Sequence, residues 1–448
     1  MRARIILLLG LVGFTLSAAP ALEHKPKDAA LAKFEPVKAP APAGLCLQPG
    51  DRLAICGDSI TEQKMYSRSM EDYLTVCAPE LGVTVRQYGW SGEKAPGFLR
   101  RMTNDCLRFK PTIATICYGM NDHEYRPYQD RIGAAYRQYS TAIVEAFKSN
   151  VVRVIQGSPG CVGRVPTWVK TTNGVVQDLN LNLCALRNIG IEIARQEQVG
   201  FADVFWPMLT AGVAAQKQYS PNYAISGKDG VHPGWAGHTV MAYAFLKSAG
   251  LKGDLGTFTV DLKTGTMAAT NGHEVVSSAN GEYQIRSSRY PFCPCLESNL
   301  AAESYPVCDR DEVSSDRSIR SAMTLIPFNQ DLNRLVLVAK HVKRGNYEVR
   351  WGDQSKVFSS KQLKRGVNLA AEFPCNPFCA AFARVDAAVA AKQAFETRQI
   401  KKSFRSAEAK ADMEAVVART EKEREPLARA ISEAFVPVTH TIRITLKE

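Results

Sequence analysis

Four short stretches of this chain carry residues suited to moving a proton and stabilising a developing anion. The first is Gly57-Asp58-Ser59-Ile60-Thr61, directly after the apolar run from Arg52 to Cys56. A serine at the carboxyl end of a strand, where a helix can begin, has a backbone N–H free to face an anionic oxygen. Asp58 suits a tight turn in which its carboxylate takes neighbouring backbone donors. The second stretch, Asp229-Gly230-Val231-His232-Pro233, sets an acid three residues before a histidine. A serine hydroxyl is a weak nucleophile at neutral pH unless a base takes its proton. Histidine has the unperturbed pKa for that work. Asp229 can fold back in a turn and accept from one ring nitrogen, which fixes the tautomer and leaves the other nitrogen for Ser59.

The third stretch, Gly119-Met120-Asn121-Asp122, follows the almost wholly apolar run from Thr112 to Tyr118. An asparagine there can aim its amide where the Ser59 N–H points, as an oxyanion hole requires. The fourth, Ser91-Gly92-Glu93, follows the strand-like run from Val83 to Tyr88. Gly92 has no side chain to keep a ligand from its N–H. Taken alone, each stretch also has a structural reading. Ser59 and Asn121 could cap helices, Gly92 could be an ordinary turn glycine, and Asp229 with His232 could be a loop hydrogen bond or half a metal site. Together they supply nucleophile, base, orienting acid and oxyanion donors at successive strand ends.

The elements that must hold these residues alternate. Arg52 to Cys56, Val83 to Tyr88, Thr112 to Tyr118, Val151 to Gln156 and, more weakly, Phe201 to Phe205 read as strands. Helix-like stretches lie between and after them, near 66–80, 93–109, 130–149, 177–197 and 235–249. Strand then helix, repeated about five times, implies a parallel sheet covered on both faces, with its site beyond the carboxyl ends of the strands.

This arrangement resembles the SGNH, or GDSL-type, serine hydrolases over about residues 50–250. The resemblance implies an α/β, flavodoxin-like three-layer domain with about five parallel strands. It also implies that Ser59 is the nucleophile, His232 the base and Asp229 the orienting acid. Ser59 N–H, Gly92 and Asn121 would form the oxyanion hole, with no cofactor and no metal. Lys94 stands where the family often has threonine.

The remaining chain sets the context. Arg2 and Arg4, an apolar run from Ile5 to about Leu16 and the small-residue site Ala19-Pro20-Ala21 read as an export signal over residues 1–21. Residues 22–45, rich in Pro, Ala and Lys, read as a flexible linker. The hydrolase domain is expected at 46–252. A β-rich accessory domain is expected at 253–379 and 437–448, interrupted by a helical segment at 380–436. In that segment Phe382, Val385, Val389 and Phe395 recur at near-helical spacing, and Pro426 is expected to start a new helix or kink the run. Lys364-Arg365-Gly366-Val367-Asn368-Leu369-Ala370 is similar to a segment of multi-domain bacterial SGNH proteins with carbohydrate-directed neighbours.

Twelve cysteines in an exported chain suggest disulfides. Cys77 with Cys106 and Cys161 with Cys184 are plausible pairs, whereas Cys56 and Cys117 read as buried thiols. A zinc site at Cys293-Pro294-Cys295 is the alternative to disulfides there, but its partner spacing fits no common zinc pattern. The net charge of +12 is spread along the chain without a dense stripe, and no nucleic-acid motif accompanies it. No membrane insertion is expected after signal cleavage, and the oligomeric state is open. The expected function is a secreted or periplasmic esterase acting on acyl, first of all acetyl, esters of carbohydrates. The alternatives are a lipase or lysophospholipase and a non-catalytic carbohydrate-binding protein on the same fold.

Overall fold

The first sheet is built from β1 (Arg52–Gly57), β2 (Thr84–Gly89), β3 (Ile113–Cys117), β4 (Arg153–Gly157) and β5 (Gly200–Ala202), of which β1 and β3 are apolar at nearly every position. The computed structural model describes residues 20–169, 174–270, 272–294 and 313–447. All five strands pair in parallel, in the order β2-β1-β3-β4-β5. This is the flavodoxin-like doubly wound order, with its switch point between β1 and β3. β3, at the centre, is buried at all its positions, as a strand covered on both faces must be.

The connections are α1 (Ser59–Glu62), α2 (Tyr66–Val76), α3 (Ala95–Asp105), α4 (Asp130–Ser149), α5 (Val176–Glu197), α6 (Phe205–Gln218) and α7 (Trp235–Ser248). α2 packs on α7 on one face of the sheet, while α3, α4 and α5 line up on the other. β1 shows the division: Leu53 and Ile55 join the first core, Ala54 and Cys56 the second. Each fully buried aliphatic side chain contributes about 1.5–3 kcal/mol. The sequence suggests a strand to Phe205, but β5 stops at Ala202 and Phe205 opens α6. Phe205, Trp206, Met208, Ala211 and Ala215 are all buried, so no single apolar stripe marks α6 in the sequence. Pro207 falls in its first turn, where a missing N–H costs nothing.

The export signal lies outside the described residues up to Ala19. The lead-in from 22 to 45, expected to be flexible, is instead packed. Leu31 and Phe34 are buried, and the Phe34 ring lies 6.2 Å from Phe205 and 6.3 Å from Trp206. The Asn188 side chain accepts from Val37 N–H at 3.0 Å, and Arg187 donates to the Val37 carbonyl at 2.7 Å. Two large apolar residues thus anchor a stretch whose average composition suggests a linker.

The second half builds two more sheets from β6 (Asp254–Asp261), β7 (Thr266–Ala269), β8 (His273–Ala279), β9 (Glu282–Ser287), β10 (Arg334–Lys340), β11 (Asn346–Trp351), β12 (Gln354–Ser359), β13 (Val367–Asn368) and β14 (Val438–Lys447). One sheet runs β13-β10-β6-β7; the other is antiparallel and runs β12-β11-β14-β9-β8. Short helices α8 (Ile319–Leu325), α9 (Phe328–Asp331), α10 (Ser360–Arg365) and α11 (Leu369–Glu372) fill the connections. α12 (Cys379–Lys401), α13 (Ala407–Ala411) and α14 (Met413–Ala434) then leave the β-rich region, and β14 returns between β11 and β9. Pro426 lies inside α14 and starts no helix; that start is set by Asp412, which accepts from Ala415 N–H at 3.0 Å.

The excursion covers the open edge of the first sheet. Among the described residues no strand lies beyond β2, so alternate backbone groups face outward. Lys392 of α12 donates to the Val85 carbonyl at 2.6 Å, and Glu396 accepts from Gln87 N–H at 3.3 Å. Lys392 also bridges the buried carboxylates of Glu71 (3.1 Å) and Glu396 (2.9 Å).

The expected disulfides do not form. Cys77 and Cys106 belong to cores on opposite faces of the sheet, and both are free thiols, as are Cys161 and Cys184. Cys106 instead lies against Cys56, and Cys161 contacts the Ser226 hydroxyl at 3.3 Å. Cys117 is a further buried thiol. Cys293 lies against Cys379, while Cys295 falls outside the described residues. Among the described residues, no group of three or more His, Cys, Asp or Glu side chains is arranged to hold a metal, and no helix is long and apolar enough to cross a membrane.

Removing one partner from a buried ionic cluster leaves the others uncompensated. Lys392→Met should therefore destabilise the protein by about 3–5 kcal/mol, read as a fall in the urea midpoint.

Candidate active site

Asp58 and Ser59 sit where β1 gives way to α1. The Asp58 carboxylate caps that helix, accepting from Ile60 N–H at 3.0 Å. Burial pushes its carboxyl up to about 7, helped by the nearby Asp122 and Glu93 carboxylates and opposed by the Ile60 N–H. The cap fixes the first turn and so aims the Ser59 side chain. Ser59 Oγ lies 2.8 Å from His232 Nε2, across 173 residues of sequence. His232 Nδ1 lies 2.7 Å from Asp229 Oδ2. The other carboxylate oxygen, Oδ1, accepts from Val231 and His232 N–H, both at 2.9 Å. Burial pushes the Asp229 carboxyl up, but these backbone bonds and the His232 ring outweigh it and hold it below the usual range. Asp229 is therefore a carboxylate acceptor, which makes His232 Nδ1 the donor and leaves Nε2 as the acceptor for the Ser59 hydroxyl.

The loop before α7 folds this tightly because of glycine. Gly227 has φ +81°, and a Cβ there would lie 1.7 Å from the His232 carbonyl oxygen.

Asn121 lies after β3, at the switch point. Its Nδ2 donates to the Glu93 carbonyl at 3.1 Å, and its Oδ1 accepts from the Tyr125 hydroxyl at 3.2 Å. The amide is thereby oriented, with a second Nδ2 hydrogen to spare. Asp122 braces the same corner by accepting from Gly119 N–H and Ala95 N–H, each at 3.0 Å. Gly92, exposed and at φ +72°, lies in the loop after β2. Its neighbours fix that loop: Glu62 accepts from Ser91 N–H at 2.5 Å, Trp90 N–H donates to the Gly57 carbonyl at 3.1 Å, and Glu93 is held by Arg101 at 2.6 and 2.7 Å. Lys94, in place of the family threonine, pairs with Glu124 at 3.1 Å and joins the Gly92 and Asn121 loops.

The other conspicuous residues divide. His123 is buried beside the Met120 carbonyl, and burial lowers its ring pKa to about 4, so it is neutral and does not line an open cleft. Glu124 is committed to Lys94 and Arg131. His238 is a core histidine, bonded to Tyr66 N–H at 3.3 Å and Gln63 at 3.0 Å. Trp206 and Trp235 are buried. Two side chains that sequence reasoning passed over stand at the site. Trp168 is 46% exposed with its ring 5.8 Å from that of His232, and Tyr125 lies edge-on to it at 6.5 Å. Tyr125 was within reach of the Asn121 motif by spacing alone. Trp168 sits in a loop with no periodicity to mark it.

Gly227→Ala should cost about 1–3 kcal/mol in denaturant unfolding, because the new methyl must displace the His232 backbone or strain its own.

Residues 55–240 match the family model described as GDSL-like lipase/acylhydrolase. None of the curated protein sequences matches the chain. Among solved structures it is similar to a gut microbial diltiazem-metabolizing enzyme, at 20% identity and a TM-score of 0.69, over 92% of this chain and 100% of that one. That likeness is one of fold, and it extends through both halves. A catalytic mutant of an acetylxylan esterase from Geobacillus stearothermophilus matches at 21% identity and TM-score 0.36, over 46% of this chain and 96% of its own. An alpha/beta hydrolase from the metagenome of Lake Arreo, Spain, matches at 21% and 0.36, over 46% and 98%. Residues 55–240 thus form a domain that matches the GDSL-like lipase/acylhydrolase family, and the match supports a carboxylic ester hydrolase.

Proposed function

We propose that the protein is an exported esterase that removes acyl groups, acetyl first of all, from carbohydrate esters, with Ser59, His232 and Asp229 as its catalytic residues. The observation that carries this reading is the unbroken hydrogen-bonded chain from Ser59 Oγ through both ring nitrogens of His232 to Asp229. Ser59 Oγ attacks the ester carbonyl as its proton passes to His232 Nε2. Asp229 stabilises the imidazolium that forms. The tetrahedral oxyanion rests on the N–H groups of Ser59 and Gly92 and on the Asn121 amide. His232 then returns the proton to the departing alcohol, leaving an acyl-enzyme. Water, deprotonated by the same nitrogen, attacks that ester and frees the acid and Ser59.

Two features favour a sugar alcohol. The exposed large side chain beside His232 is an aromatic, Trp168, whose flat face suits a sugar ring. The basic, apolar and small-residue start of the chain suits export to where polymeric glycans lie.

The test begins with p-nitrophenyl acetate. Ser59→Ala should lower turnover by a factor on the order of a million with folding intact. Asn121→Ala should lower kcat by about a hundredfold or more, and an unchanged rate removes Asn121 from the oxyanion site. Wild-type turnover no faster than that of Ser59→Ala would favour a non-catalytic binding protein. Acetate release from a panel of acetylated glycans then checks the substrate. Faster cleavage as the acyl chain lengthens would turn the assignment to a lipase.

A further inference from the structure

We infer that Lys401, at the end of α12, is a positioning residue for the reaction: through Glu62 it fixes the loop that presents the Gly92 N–H. The inference rests on Gly92 as an oxyanion donor.

Gly92 cannot fix itself. It is exposed, and a Cβ built on it would meet nothing within 4 Å, so neither packing nor a side chain limits the peptide. Ser91 is exposed as well. The direction of the Gly92 N–H therefore depends on what holds its neighbours. On one side Glu93 is locked into the core by Arg101 and by the Tyr118 hydroxyl at 2.7 Å. On the other side Ser91 N–H donates to Glu62 Oε2, within a turn that Glu93 N–H closes on the Trp90 carbonyl at 3.2 Å and that Trp90 N–H ties to the Gly57 carbonyl at 3.1 Å.

Glu62 closes α1, the helix that Ser59 opens. Its carboxylate is also paired with Lys401, whose Nζ lies 2.6 Å from Oε1 and 2.8 Å from Oε2. The Lys401 ammonium also lies 5.3 Å from the Trp90 ring centre, and the Arg405 guanidinium lies 5.2 Å from it. Arg405 is in turn held by Asp105 at 2.6 and 2.9 Å. The helical excursion thus reaches the loop twice, at the Trp90 face and at the carboxylate that holds Ser91. Both contacts precede Gly92 in the chain, and Arg101, which grips Glu93, also lies 5.1 Å from the Trp90 ring centre. A helix more than 300 residues downstream of Ser59 completes the frame of the oxyanion donors. Without Lys401, Glu62 is free to turn toward water or toward Lys64, which donates to the Glu62 carbonyl at 2.5 Å.

The experiment uses the full chain and two readouts. With p-nitrophenyl acetate, Lys401→Ala should lower kcat about tenfold with KM changed less than about twofold, because a donor displaced by a fraction of an ångström acts mainly in the transition state. Lys401→Arg should recover most of that loss. Glu62→Ala should have a similar effect, and the double variant should be no worse than the poorer single one, since both act through a single contact. The second readout is amide hydrogen exchange of the peptide containing Ser91 and Gly92, which does not depend on turnover. Both single variants should raise its exchange about tenfold while the unfolding midpoint stays in place. Unchanged exchange in both variants overturns the inference even if esterase activity is absent altogether. Additive losses, a loss that Lys401→Arg does not recover, or a rise in KM equal to the fall in kcat overturn it as well. If Lys401→Ala lowers the unfolding midpoint and raises exchange throughout α12, the role is docking of the helix, and positioning is ruled out.

Discussion

The His232 ring is bonded on both sides, and its two partners come from very different distances along the chain. Asp229 is three residues away and can be reached by a turn. Ser59 is 173 residues away and can be reached only after the parallel sheet has formed, because Ser59 opens α1 just after β1 while the loop leading to α7 carries His232. The site is therefore a product of the doubly wound topology. The neighbouring strands β2, β1 and β3 end at one edge, and the loops after them carry Gly92, Ser59 and Asn121. Each loop is then fixed by a buried carboxylate: Asp58 caps α1, Glu93 is gripped by Arg101, and Asp122 takes two backbone N–H groups. Acidic residues thus hold the backbone of the loops that carry Ser59, Gly92 and Asn121.

The second half of the chain is tied to this edge more closely than an appended module would be. α12 lies along α2 and β2, supplies Lys392 and Glu396 to the unpaired backbone of β2, and places its last turn against Trp90. Its side chains serve the sheet much as another strand would, but they do so through ionic contacts. Parallel sheets need their edges covered, and a helix rich in charged residues can do this without offering a template for further strand pairing.

Much of this was legible in the sequence, for physical reasons. Buried parallel strands are apolar on both faces, so β1, β3 and β4 stand out, and α4 is recognisable from a long one-sided pattern. Ser59, Gly92, Asn121 and His232 are each adjacent to such a strand or to a turn motif. The structure brings Ser59, Asp229 and His232 into direct contact, and it places Gly92 and Asn121 on the neighbouring loops. Other features depend on tertiary contacts that leave no local trace. α6 is apolar on more than one side and so lacks a stripe. The lead-in was misread because Leu31 and Phe34 are outnumbered by Pro, Ala and Lys. The cysteine pairs were inferred from sequence proximity, yet Cys77 and Cys106 lie on opposite sides of a sheet that no proximity rule can see. Trp168 could be recognised at the site only once His232 had a position.

The placement of β14 has a consequence for how the chain acquires its shape. This strand is the last in order but sits in the middle of its sheet, with β11 on one flank and β9 on the other. Until it arrives, the two hairpins it joins face each other across a gap one strand wide, each with a bare row of backbone donors and acceptors. Loss of β14 would therefore leave β9 and β11 each with an unpaired row of backbone groups, edges able to pair with other chains.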